Sequence, residues 1–284
     1  MAPIKSIEYF RVPPRWLFVR ITDDNGNYGW GEATLEGHTQ AIQGCLEFYK
    51  GQFTGMDAEF GFRREVLNYL RKGRKLGIPI YEILGGKVRD KIKVYAWIDG
   101  DRPVDVALQA KQHLDAGFTC VKMNATADLG WLDSPAALQT SADRLETVKK
   151  MGLDVGVDYH GRVHKAMAGQ LAKLMEPHQP YFIEEPLLSE NIGDIKALSQ
   201  KTTIPIALGE HLYHRWDVRP FLEAQCIDIF QPDISHVGGI SEMRRIAAMC
   251  EAYDVSEKVR ALSKNCEIWV TPGFDGAGGE IREW

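Results

Sequence analysis

Three segments of this chain run from small and β-branched apolar residues into an acidic side chain, and they do so at a fixed interval. "DVGVDYHG" reaches Asp158, "YFIEEPL" reaches Glu184 and "PIALGEHL" reaches Glu210, each acid 26 residues after the last. That interval matches one strand–helix unit of a closed parallel barrel, in which about 250 residues are divided among eight units. It leaves little room for any fold but an α/β one with a parallel sheet.

The rest of the chain from Lys93 onward keeps the same rhythm. Further strand-like segments are "KVYAWIDG", "TCVKMNA" and "IDIFQPDIS". Amphipathic stretches such as "VDVALQAKQHLDAGF", "AALQTSADRLETVKKMG", "AMAGQLAKLMEP" and "EMRRIAAMCEAYDV" lie between strands. No GxGxxG or GxxxxGK[ST] follows a strand, so a nucleotide-binding open sheet loses its main support and a barrel is favoured. About six units are countable, followed by an atypical tail over 255–284. The first ninety residues read differently. Two strands, "IKSIEYFRV" and "RWLFVRITDD", precede the turn "DDNG", "NYGWGEA" follows it as a third, and helical patterning begins at Thr39. The expectation is an α+β capping domain over 1–90 and a modified (β/α) barrel over 91–284.

Composition enters mainly to exclude. A net charge of −5 gives no reason to expect nucleic acid or an anionic membrane as partner. The basic run "RREVLNYLRKGRK" has its charges around Val66, Leu67 and Leu70 at helical spacing, which reads as a solvated helix face. No apolar stretch approaches the roughly 20 residues of a membrane span, and the N-terminus lacks a secretory pattern. Five scattered cysteines, odd in number and without CxxC, suit reduced core thiols. A cytosolic protein is expected.

Equal spacing predicts Asp158, Glu184 and Glu210 at equivalent positions on the C-terminal rim, where barrel enzymes keep their chemistry. Three converging carboxylates suit a hard divalent cation such as Mg²⁺; without one they repel, and at least one is driven to protonate. The next strand adds Asp233. His160 lies two residues after Asp158, so a regular strand sends both side chains to one face and supplies an acid/base group beside the ligand. Lys122 and Asn124 repeat that arrangement one strand earlier. His211 follows Glu210 directly and is expected to face away while the strand stays regular. His214 and His236 lie in loops near the rim. Such a site can stabilise the charge that develops when a proton leaves the carbon next to a carboxylate, leading to dehydration or racemisation.

At these residues the sequence resembles the enolase superfamily, its mandelate racemase subgroup, and within it the D-galactonate dehydratases. The resemblance rests on "PPRWLFVRI", "GWGEATLEG", "GLDVGVDYHGRV", "FIEEPLL", "IPIALGEHLYHR" and "FQPDISHVGGISE", with "YEILGGKVRDKIKVYAWIDGDRP" similar to the family's domain junction. It covers nearly all of residues 1–254. It implies a capping domain over a modified TIM barrel, and Mg²⁺ held by Asp158, Glu184 and Glu210. It further implies His160 as the acid that helps a hydroxyl leave, and Arg15, Trp16 and Glu36 as shapers of specificity. Asn124 and His211 are further candidates for substrate contact. The implied reaction is dehydration of D-galactonate to 2-keto-3-deoxy-galactonate, by a homo-oligomer.

Two departures accompany the resemblance. "GFRREVLNYLRKGRKLG" is shorter than its counterpart, so the capping domain reads as shortened. The family's strand-seven histidine, paired with the aspartate equivalent to Asp233, has no counterpart: residues 255–284 contain no histidine. Lys122 is the nearest candidate to replace that base. The alternative is an impaired or inactive relative, an open barrel of six strands with two exposed edges. Racemisation needs bases on both faces, and only His160 is visible.

Overall fold

The hairpin turn read at "DDNG" forms as its residues dictate. A computed structural model of the chain describes residues 2–13, 16–35, 37–57, 76–88, 90–100, 102–127, 129–234 and 236–257, with short pieces at 262–263 and 266–267. Two compact units emerge, 1–88 with 239–241, and 89–238 with 242–284. In the first, β1 (Ile4–Val12), β2 (Trp16–Asp23) and β3 (Tyr28–Glu32) form an antiparallel meander. Gly26 takes φ 79°, open to glycine without a Cβ penalty, and Asp23 Oδ1 accepts the Asn27 amide at 2.8 Å to close the turn. Across β1 and β2, Glu8 faces Arg20 in register at 2.8 Å, and the guanidinium also lies over Phe10 and Trp30. Helix α1 (Thr39–Phe53) buries none of its side chains, and α2 (Ile80–Ile83) is a single turn. Among the described residues of this unit the buried apolar side chains are Ile4, Ile7 and Leu17, a thin core. Most of the segment expected to be shortened, 61–77, lies outside the described residues, as do the basic run, Arg15 and Glu36.

The second unit is built on a parallel sheet of seven strands that follow one another in chain order. These are β4 (Ala96–Ile98), β5 (Cys120–Asn124), β6 (Asp154–Asp158), β7 (Phe182–Glu184), β8 (Ile206–Leu208), β9 (Ile229–Phe230) and β10 (Ser256–Glu257). Helices α3 (Pro103–Asp115), α4 (Pro135–Lys149), α5 (Lys165–Met175), α6 (Ile192–Ser199), α7 (Arg215–Ala224) and α8 (Ile240–Ala252) connect them. Local chemistry explains the starts: Ser134 caps α4, accepting the Ala137 amide at 3.3 Å with proline at the first turn. Asn191 caps α6 in the same way. The expectation of six units is corrected by β10, which pairs in parallel with β9 and makes the edge one strand further on. The last described pieces, β11 (Leu262–Ser263) and β12 (Cys266–Glu267), pair antiparallel.

One face of the sheet packs against the helices through a continuous apolar layer that includes Val121, Val155, Val157, Ile183, Ile206, Leu208 and Phe230. Burying each large aliphatic or aromatic side chain there contributes ~2 kcal/mol. The other face holds a smaller cluster of Tyr95, Cys120, Phe182, Ala207 and Ile229. Phe182 is accommodated because its neighbour across the ladder is Gly156; a Cβ there would lie 2.2 Å from the ring. This inner cluster forms the floor beneath the polar residues further along the same faces of β5, β6 and β7. Among the described residues, no helix is long and apolar enough to cross a membrane.

Candidate active site

The polar layer above that floor starts with Lys122, a fully buried ammonium in the middle of β5. Its Nζ donates to Glu184 Oε2 at 2.9 Å and Oε1 at 3.0 Å, and lies 3.3 Å from Asp158 Oδ2. The rings of Trp97 and Tyr95 sit 5.2 and 5.5 Å from the same nitrogen, within cation–π range. Asp158 and Glu184 are direct register partners on adjacent strands, as their spacing predicts.

Glu210 is not their equivalent. Glu184 pairs with Ala207, so Glu210 lies three residues beyond the register position, past the end of β8. The 26-residue interval survives while the register does not, because β7 to β8 is shorter in register: Glu184 to Ala207 spans 23 residues, against 26 from Asp158 to Glu184. Glu210 still reaches the group: its Oε1 is 3.4 Å from His160 Nδ1, which is itself 3.5 Å from Asp158 Oδ2.

His160 arrives there by a different route from the one expected. β6 ends at Asp158, Tyr159 turns into the core, and His160 takes a left-handed conformation (φ 54°) followed by Gly161. Such a conformation costs a non-glycine residue roughly 1–2 kcal/mol. It is held by Asp158 Oδ1, which accepts the His160 amide at 2.8 Å, and by Gly161 N–H donating to the Glu185 carbonyl. His211, expected to face away, instead brings Nε2 within 3.5 Å of Glu210 Oε1, because Gly209 ends the strand and the chain turns there. Partial burial, and then the nearby His160 and His236, hold the His211 imidazole below its ordinary value. His236 Nδ1 lies 3.1 Å from the Glu210 carbonyl oxygen. His214 serves as the cap of α7, accepting the Asp217 amide.

Asp233 is buried just beyond β9, and its carbonyl accepts the His236 and Val237 amides. Asn124 ends β5 beside Asp158, its carbonyl accepting from Arg144. Trp16 opens β2 in the first unit, stacked on Phe18 with ring centres 6.3 Å apart. Among the described residues no group of three or more His, Cys, Asp or Glu side chains is arranged to hold a metal ion; two of the three expected carboxylates are turned to Lys122.

One member of the site was not singled out from the sequence. Glu185, the second acid of "IEEP", is buried with φ 41°, its Oε1 accepting the Gly209 amide at 2.8 Å. Burial pushes its carboxyl up to about 8, the Gly209 bond pulling against this and the Glu184 and Asp158 charges adding to it. A doubled acid at a strand end was the available signal, since both cannot occupy one face. The raised value fixes a pH dependence. The folded chain holds a proton on Glu185 that the unfolded chain releases near its ordinary 4.5, so stability falls as pH rises from 4.5 towards 8. Glu185→Gln is expected to remove that slope in EDTA, with a gain over the parent chain on the order of 3 kcal/mol at pH 7. Urea unfolding at pH 5, 7 and 8 checks this; parallel stability profiles for the two proteins would refute it.

Comparison with known proteins bears directly on this geometry. The enolase C-terminal domain-like family matches residues 105–263. The chain belongs to the enolase superfamily. A D-galactonate dehydratase of Verminephrobacter eiseniae is 40% identical over 93% of this chain and 75% of its own length. One from Variovorax paradoxus is 37% identical over 89% of this chain and 73% of its own length. Among solved structures, an enolase from Agrobacterium radiobacter with bound Na and L-malate superposes at TM-score 0.78 with 28% identity, covering 91% of this chain and 74% of that one. An enolase-superfamily member from Salmonella Typhimurium gives TM-score 0.82 with 24% identity, over 92% of this chain and 81% of that one, a likeness of fold. These structural neighbours fit the α/β barrel architecture.

Proposed function

We propose that this enolase-superfamily chain is a sugar-acid dehydratase that converts D-galactonate to 2-keto-3-deoxy-galactonate. The observation that carries the reading is the position of His160 Nδ1 between Asp158 and Glu210, beside the Glu184–Lys122 pair. The name shared by relatives 36–40% identical supports the substrate class. The three carboxylates are hard oxygen donors, a set whose chemistry fits Mg²⁺; Asp158, Glu184 and Glu210 would hold it. Bound there, it supplies positive charge beside the substrate carboxylate.

The chain's own groups divide the remaining work. His160 Nδ1 lies 3.5 Å from Asp158 Oδ2 and 3.4 Å from Glu210 Oε1 without a hydrogen bond to either, and we assign Nε2 as the nitrogen that meets substrate. A proton given from Nε2 to the 3-hydroxyl lets that group depart as water, while the C2 proton passes to a base, a part we assign to the Asp233 carboxylate, and the electron pair of the broken C2–H bond closes the double bond of an enol, which becomes the keto acid. Asp233 sits one strand further round. Lys122 is a poor proton acceptor in this arrangement, because its N–H groups are committed to two carboxylates. We assign Asn124 and His211 to substrate contact; the parts proposed for Arg15, Trp16 and Glu36 belong to the first unit, and a homo-oligomer is the assembly expected. Incubation of the purified chain with D-galactonate and Mg²⁺ is expected to yield keto acid, and EDTA or Glu184→Gln to stop it. Product formed at an unchanged rate in EDTA would overturn the cation assignment; no product from D-galactonate beside turnover of another sugar acid would overturn the substrate.

A further inference from the structure

We infer that Lys122 is the resident counter-ion of the carboxylate cluster, a tethered cation whose hold on Asp158 and Glu184 a divalent ion has to displace. The inference rests on the cation site proposed above and says how this chain tunes it. Lys122 is fully buried, and Asp158 and Glu184 are each all but buried. Two carboxylates held together out of water repel strongly and lose their hydration, so the arrangement needs a positive charge at all times. Lys122 supplies it from within the sheet, with contacts of 2.9, 3.0 and 3.3 Å to the two acids. The faces of Tyr95 and Trp97, 5.5 and 5.2 Å from Nζ, add favourable electrostatics.

Two consequences follow from one charge. The chain can fold with the acids in place before any divalent ion arrives, since their repulsion is already screened. A divalent ion then meets carboxylates already engaged, so its affinity is lower than the same oxygens would give it alone. Lys122 is thus a positioning residue that sets metal affinity, distinct from a base that would touch substrate.

The test uses thermal unfolding of the full chain with Mg²⁺ titrated from EDTA, so that its readout is independent of turnover. Lys122→Met, which keeps the length and apolar stem, is expected to melt about 10 °C below the parent chain in EDTA, as buried pairs do when one partner is lost. Its Mg²⁺ midpoint is expected to fall about tenfold, the reciprocal of the lost competition. The double variant Lys122→Met/Glu184→Gln should regain most of the lost melting temperature in EDTA, because it leaves fewer buried charges unpaired. A Lys122→Met melting point or Mg²⁺ midpoint equal to the parent's overturns the inference while leaving the cation site standing. No Mg²⁺ shift in either protein overturns both. If Lys122→Met does not fold at all, the double variant decides: recovery supports the counter-ion role, and failure to recover overturns it.

Discussion

Gly209→Ala is expected to destabilise the barrel by about 4 kcal/mol, a large part of the roughly 5–15 kcal/mol that separates a folded domain from its unfolded chain. The reason is a collision with backbone. A Cβ at Gly209 would lie 2.3 Å from the carbonyl carbon and oxygen of Gln231 and 2.7 Å from its nitrogen. Backbone in the adjoining chain segment cannot swing aside as a side chain can, so either the Gln231 N–H···Leu208 O bond of 2.7 Å breaks or the turn that carries Glu210 moves. The Glu185 carboxyl would lose its bond from the Gly209 amide in the same displacement. Denaturant unfolding of the variant measures the loss. Gly169→Ala is the matched control: Gly169 lies inside α5 with its nearest neighbour, Leu198 Cδ1, at 4.0 Å, so the same methyl is expected to stabilise by about 1 kcal/mol. Equal effects at the two positions would show that helix propensity and steric contact had been misjudged together.

His160→Ala is the second large effect, and it should appear in rate with little change in stability. The side chain is 38% exposed, and the amide that Asp158 Oδ1 accepts is retained in alanine. Loss of a general acid removes typically 10²- to 10⁴-fold from the chemical step. The expected result is a fall of that size in kcat with D-galactonate, at a melting temperature close to the parent's. Activity within a few-fold of the parent would remove His160 from the mechanism proposed here. His160→Gln sharpens the test, since it keeps a polar group while lacking a transferable ring proton.

Much of the sheet was legible because its signal is local. Each of the six expected strands appears, shortened to between two and five residues, and α1 occupies the stretch expected from its helical patterning. The seventh strand escaped because Ser256–Glu257 has neither alternation nor a run of β-branched residues; only its pairing with β9 makes it a strand. α7 is obscured by Pro220 in its interior. At the site, residue identities were legible and their geometry was not. Spacing brought Asp158 against Glu184, yet it misjudged Glu210 by three residues of register, a quantity fixed by how the intervening loop and α6 pack. The face of a strand argued for His160 and against His211, but both lie beyond their strands, where the direction of a side chain depends on turn conformation. Lys122 was read as a candidate base because a lysine's partners are invisible until the sheet is assembled; they prove to be the acids at the ends of the next two strands.

The order of the large sheet, in which every strand lies beside the one synthesised just before it, bears on how the protein comes into being. No strand must wait for a distant stretch of chain, so the sheet can grow in one direction as the polypeptide leaves the ribosome, each loop closure spanning a single helix. Lys122 emerges ahead of Asp158 and Glu184. A positive charge is therefore already seated when each acid is added, and the growing edge need not harbour uncompensated negative charge while it awaits the next strand.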